Sequence, residues 1–179
     1  MKKNIFHKKK EIKINSTALE YKVYLKDYFW IQGIKNSLKL DFLVSIYSYV
    51  KENYNSIVQG IKLVSKIEDN KILFSVENDY ILIHKQINDT ESMINMRSPK
   101  FSILPSDHFW VKGIRKPFDV SSVLNAYIYT QKNHLLLTDN MQNIEISNGD
   151  STIVFAYDKE KLQINLVTAW VGNRNKKQY

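Results

Sequence analysis

Cysteine is absent from the 179 residues. That excludes a disulfide framework, a thiolate nucleophile and a cysteine-based zinc site, and makes the reducing cytoplasm the natural compartment. Five glycines and three prolines are too few for a flexible linker or a low-complexity tract. No window approaches the ~18 uninterrupted apolar residues of a membrane span, and the lysines of MKKNIFHKKKEIK have no apolar stretch behind them. Neither a membrane helix nor a signal peptide is therefore expected.

Familiar catalytic patterns are missing too. Without GxxxxGK[ST], GxGxxG, GxSxG or HExxH, the nucleoside-triphosphate, dinucleotide, serine-hydrolase and zincin chemistries have no anchor, and no cofactor is expected. The histidines are His7, His84, His108 and His134. Only His7 has an acid one helical turn on, Glu11, and the carboxylates are scattered, so no metal site is expected either.

What the chain does have is apolar mass, at 44% of residues with 12% aromatic, which suffices for a packed core. Its formal charge of +8 is carried entirely by the two ends: residues 1 to 13 hold six Lys against Glu11, and residues 172 to 179 hold Arg174, Lys176 and Lys177. The body between them is neutral overall but uneven. Arg97, Lys100, Lys112, Arg115 and Lys116 face the single Asp107 within 97 to 116, whereas 68 to 91 is acid-rich.

The clearest signal is a duplication. DYFWIQGIKNSLKLDFLVSIYSYVKEN (27 to 53) and DHFWVKGIRKPFDVSSVLNAYIYTQKN (107 to 133) match at eight of 27 positions without a gap. Two copies of Phe-Trp-x-x-Gly-Ile are included. Apolar residues at Leu40, Leu43, Val44 and Tyr47 recur at Val120, Val123, Leu124 and Tyr127, at the spacing of one face of a helix. YKVYL (21 to 25) lies opposite FSILP (101 to 105), and ILFSVENDYILI (72 to 83) opposite IVFAYDKEKLQI (153 to 164), each of the latter reading as two strands around a charged turn. The expected fold is α+β with two related units, each a helix packed on a small antiparallel sheet. They are expected at 14–90 and 91–172, with basic tails at 1–13 and 173–179 and an additional helix in the first unit over Ser56 to Lys66. The repeated aromatic and glycine residues read foremost as packing.

The duplication supplies an internal comparison for chemistry. His108 replaces Tyr28 within the same Phe-Trp frame, so an imidazole is not needed there for packing. Gln32, Lys35 and Asn36 become Lys112, Arg115 and Lys116. One imidazole and three cations within nine residues suit metal-independent RNA cleavage, which needs a proton acceptor for the 2′-OH, a proton donor for the leaving oxygen, and cations about the phosphorane. His134, ahead of Leu135, reads as a strand cap. Trp110, Trp170, Tyr127 and Tyr129 divide between core positions and possible base-stacking surfaces.

With DHFWVKGI, VSSVLNAYIYT and STIVFAYDKEKLQINLVTAWVGN, the second half resembles the barnase/RelE-like superfamily of small ribonuclease toxins and phage-borne nuclease domains. The resemblance implies a catalytic set of His108, Lys112, Arg115 and Thr168, the last placing a hydroxyl against the scissile phosphate. Trp170 stands where such proteins often have Tyr, keeping a stacking face but no phenolic proton. The first half, with Tyr28 for His108 and Ile87 opposite Thr168, is implied to be catalytically empty. Trp110, Lys116, Trp170 and Arg174 are the nucleic-acid-binding candidates.

The function expected is a metal-independent endoribonuclease of toxin or phage-defence type, with RNA as ligand and a cognate antitoxin or other protein as possible partner. The alternatives are a non-catalytic RNA- or protein-binding module and an inhibitor or immunity protein. Because the ends carry the net charge, deleting residues 1–12 and 173–179 should weaken RNA binding and flatten its salt dependence in a titration. RNA affinity that keeps its strength and its salt slope would remove the tails from the interface.

Overall fold

The computed structural model of the protein describes residues 12–88, 92–137 and 143–171. Residues 1–11 and 172–179, including Arg174, lie outside them, whereas Lys13, expected in the basic tail, falls within the first strand. Two five-stranded sheets and four α-helices make an α+β fold. In chain order the elements are β1 (Ile12–Asn15), β2 (Lys22–Leu25), α1 (Asp27–Asn36), α2 (Phe42–Asn53), β3 (Leu63–Ile67), β4 (Asn70–Glu77) and β5 (Tyr80–Gln86), and then β6 (Ile94–Met96), β7 (Ser102–Pro105), α3 (Asp107–Arg115), α4 (Ser122–Asn133), β8 (Ile144–Ser147), β9 (Ser151–Asp158) and β10 (Gln163–Val171).

The two series match in element order and strand pairing. Strand order is β2-β5-β4-β3-β6 in the first sheet and β7-β10-β9-β8-β1 in the second. Each has an antiparallel centre of three strands flanked by parallel edges, so the sheets are mixed rather than purely antiparallel. The outermost strands are exchanged: β1 pairs with β8, Ile12 beside Ile144, and β6 pairs with β3, Ile94 beside Ser65. Each sheet is completed by a strand that belongs, in the repeat, to the other unit.

The Phe-Trp-x-x-Gly-Ile segments are helices, α1 and α3. Both place an aspartate in the first turn, where the helix dipole favours negative charge, and both bury Phe, Trp and Gly on one side. The two helices pack against each other. A methyl group on Gly33 would fall inside the ring of Trp110, and one on Gly113 inside the ring of Trp30. Each tryptophan thus occupies the space left by the other copy's glycine, and the indoles meet edge to face at 5.7 Å. Phe109 and Phe118 close the cluster around Trp30 at 5.8 and 5.1 Å.

Reciprocal hydrogen bonds reinforce this junction. Leu40 N donates to Ile103 O and Val120 N to Val23 O, both at 2.8 Å. The repeated Tyr47 and Tyr127 hydroxyls accept from the chain entering β2 and β7, from Tyr21 N at 3.3 Å and Lys100 N at 3.0 Å. Asn53 and Asn133 each return a side-chain bond to the carbonyl of Tyr49 or Tyr129 at 2.9 Å. Most of the eight matched positions therefore have a packing or bonding reason. One asymmetry stands out: Trp30 Nε1 donates to Leu25 O at 3.1 Å, whereas Trp110 Nε1 is enclosed with no acceptor.

Two sequence expectations are corrected. Ser56 to Lys66 is not a helix but a 3₁₀ turn (Tyr54–Ser56), a loop and β3. Gly60, at φ 77°, turns the chain there and donates to Val76 O, and Leu63, Val64 and Ile67 pair along β4. His134 caps no strand: it ends α4, stacks on Phe101 at 5.3 Å and lies 3.3 Å from Lys100 Nζ, while Leu135 and Leu136 are exposed.

Gly33→Ala and Gly113→Ala should each destabilise the whole chain by ~1–3 kcal/mol or more in denaturant unfolding, as overpacked core sites do. Pairing Gly33→Ala with Trp110→Ala should cost much less than the sum of the two single changes, since the smaller side chain vacates the contested volume. Additive losses would refute the reciprocal packing.

Candidate nucleic-acid interface

Past Leu166, β10 outruns its parallel neighbour β7, whose last residue, Pro105, pairs with Leu166. Beyond that point α3 takes the place of the missing strand. Ser106, the N-cap residue, accepts from Phe109 N at 3.3 Å and donates its hydroxyl to Val167 O at 2.8 Å. Lys112 Nζ donates to Ala169 O at 2.6 Å. Backbone carbonyls that a further strand would have bonded are thus satisfied by α3 side chains.

His108, Lys112 and Arg115 are spaced i, i+4 and i+7 and so share one face of α3. His108 and Arg115 are exposed and Lys112 is half-buried. The His108 side chain makes no hydrogen bond or ion pair with another described residue. Lys112 Nζ also sits 5.6 Å from the centre of the Trp170 ring, a cation–π contact. Beside it a groove of about 210 Å³ is lined by Lys112, Lys116, Pro117, Phe118, Trp170 and neighbouring β10 backbone. Its lining surface is largely apolar, and Lys112 and Lys116 are its two charged residues. The structure therefore brings Lys112, Lys116 and Trp170 together, with His108 one turn up the same helical face.

Other sequence-derived candidates fall elsewhere. Trp110 is fully buried against Gly33 and has no face to offer a base. Tyr127 is buried and bonded, and Tyr129 packs on Phe155 at 6.2 Å. Thr168 points away from α4, in line with Val154 on the outer face of the second sheet. Its Oγ1 is enclosed and has no hydrogen-bond partner among the described residues, so the hydroxyl is not presented to a phosphate. Nor is Ile87 its counterpart. The β9–β10 turn is two residues longer than the β4–β5 turn, and strand pairing sets Lys85 opposite Thr168 and Ile87 opposite Trp170.

Sequence reading missed Glu145. It pairs across from Val154 on β8, so Glu145, Val154 and Thr168 form a row across one sheet face. The glutamate is 3% exposed, and its Oε2 has no hydrogen-bond partner among the described residues. A lone glutamate in IEIS carries no motif, and only the sheet register places it beside Thr168. Among the described residues no cluster of His, Asp and Glu is arranged to hold a metal ion, and no helix is long and apolar enough to cross a membrane.

No protein-family model, curated protein or solved structure matches the chain.

Thr168→Val replaces an enclosed, unpartnered hydroxyl by a methyl of similar size. Because such a group carries a penalty of ~1–3 kcal/mol, the variant should unfold at the same temperature as the parent or a higher one. A clear drop in melting temperature would reveal a bond to this hydroxyl.

Proposed function

We propose that the protein binds RNA in the groove between α3 and β10 of the second unit. The observation that carries this reading is the meeting of the cationic stripe of α3 with an indole at a groove whose lining is largely apolar: Lys112 sits over the Trp170 ring, Lys116 lines the same groove, and Arg115 extends the stripe. Phosphates are attracted by the cations, and an unpaired base gains by stacking on the indole. The internal comparison points the same way. The first copy has Gln32, Lys35 and Asn36 where the second has Lys112, Arg115 and Lys116, so two of the three cations are absent from the equivalent helix.

Metal-independent endonucleolytic cleavage is the second reading, favoured by the exposed His108 imidazole at the head of this stripe. His108 accepts the 2′-OH proton, the freed oxygen attacks the adjacent phosphorus, and the 5′-oxygen departs with a proton from solvent, leaving a 2′,3′-cyclic phosphate. Lys112 and Arg115 supply the charge that favours the phosphorane. Thr168, its hydroxyl enclosed, has no part in these steps.

Two measurements test the pair of readings. Arg115→Glu with Lys116→Glu should weaken binding of an RNA oligonucleotide and reduce its salt slope, and unchanged affinity would remove the groove. Incubation with total RNA in EDTA tests cleavage, for which His108→Ala should lower the rate by about 10² to 10⁴-fold while leaving binding intact. Cleavage that survives His108→Ala, or that needs added Mg²⁺, would eliminate the imidazole mechanism.

A further inference from the structure

The first sheet has one face buried against helices and one that is not. Val23, Leu25, Ile72, Phe74, Val76, Ile81 and Ile83 point inward, each at 3% exposure or less. Strand alternation sends their neighbours outward, and cross-strand pairing sets Lys22 beside Tyr80, Tyr24 beside Leu82, Leu82 beside Ser75, and Val64 beside Leu73. Tyr24, Leu82, Leu73 and Val64 are only half-buried, and Tyr80 is 40% exposed. Among the described residues no element covers this outer face, a floor of apolar and aromatic surface.

Tyr24 and Tyr80 are adjacent on this floor, ring centres 5.7 Å apart and planes tilted by 40°. Lys22 Nζ lies 6.0 Å from the Tyr80 ring. A bulge in β5 at His84 turns that imidazole outward onto Ser75, with Nε2 and Oγ 2.8 Å apart. Partial burial holds the His84 pKa below its ordinary value, followed by the positive charges of Lys62 and Lys26 nearby, and Glu77 opposes them. These influences favour the uncharged imidazole, which offers Ser75 a hydrogen-bonding edge. Lys66 extends outward from β3 on the same face. Against these lysines stand Glu77 and Asp119, and Asp119 is occupied with the backbone N–H groups of Val23 and Ser121.

The second unit shows what this fold needs and what it does not. Strand pairing puts Ser102 where the first unit has Lys22, Leu104 for Tyr24, Gln163 for Tyr80, Val167 for His84 and Ser106 for Lys26. The same sheet is built there with none of those cations or aromatic rings. They are surplus to packing, and their joint chemistry is that of a polyanion carrying flat apolar groups.

We propose that the outer face of β2, β5, β4 and β3 is a second binding site, for single-stranded nucleic acid, with Tyr24 and Tyr80 stacking unpaired bases and Lys22, Lys26 and Lys62 holding the phosphates. A duplex keeps its bases stacked inside and offers this floor only backbone, so single strands are preferred over duplex. Tyrosine faces and ammonium groups read neither sugar nor sequence closely, so RNA and DNA single strands both bind. The site lies on the other unit from the α3–β10 groove and stands independently of it.

The test uses the full chain and fluorescence anisotropy with labelled 12-nucleotide oligo(U), the matching oligo(dT) and a 12-base-pair duplex. Tyr24→Leu and Tyr80→Leu keep an apolar side chain on the floor and remove the ring. Each should weaken both single strands about tenfold or more, with Tyr24→Phe and Tyr80→Phe restoring affinity. Lys22→Glu with Lys62→Glu should lower affinity and reduce the salt slope. These losses should persist in a background of Arg115→Glu and Lys116→Glu, which separates this site from the groove. A Tyr24→Leu/Tyr80→Leu protein that melts like the parent and binds both single strands as well as the parent overturns the proposal. So does a duplex bound as tightly as the single strands, or an Arg115→Glu/Lys116→Glu background in which the tyrosine changes have no further effect.

Discussion

Everything in this chain is arranged about one contact made twice: a tryptophan of one helix laid on the glycine of its counterpart. Helices α1 and α3 approach so closely that only a hydrogen fits beneath each indole. This fixes the distance between the two units, and it explains why tryptophan and glycine recur together. A change to either is a change to both ends of the junction. The sheets, reached through β2 and β7 immediately upstream of these helices, inherit their relation from it, and the paired backbone bonds from Leu40 and Val120 hold it from the flanks.

On that common frame the two units have diverged where the frame imposes nothing. The second has gathered cations on α3 beside Trp170, and the first has gathered tyrosines and lysines on its open sheet face. Some buried positions stay alike, Phe29 with Phe109 and Val50 with Thr130, the latter pair differing by an isosteric hydroxyl, whereas Phe42 and Ile46 give way to Ser122 and Ala126. Thr130 spends that hydroxyl on Ala126 O within its own helix, at 2.8 Å. Surface divergence over a common frame is what is expected when packing constrains one set of residues and ligands the other.

How much of this was legible beforehand follows from the range of the forces involved. The stripes that became α2 and α4, and the hairpins at 72 to 83 and 153 to 164, are local patterns and could be read directly. DYFWIQGIKN has no such stripe, since its Ile31 and Ile34 face solvent, and its helix is settled by contact with α3. Neither IKIN nor INM is long enough to announce a strand, and their partners lie in the other unit. At the site, the i, i+4, i+7 spacing of His108, Lys112 and Arg115 was visible, but Glu145, Thr168 and His84 acquire neighbours only through register. A turn longer by two residues is enough to shift the alignment from Ile87 to Lys85.

The exchange of outer strands bears on how the chain is made. The β1 residues are made before every other described element yet pair with β8, among the last of them, and the first sheet lacks its edge until β6 has followed. Neither unit closes during its own synthesis. Such long-range pairing slows folding and leaves sheet edges open to other chains in the meantime. The price is one that a dimer of single units would meet at every encounter; joined in one polypeptide, the partner strand is always at hand, and the concentration of protein no longer enters.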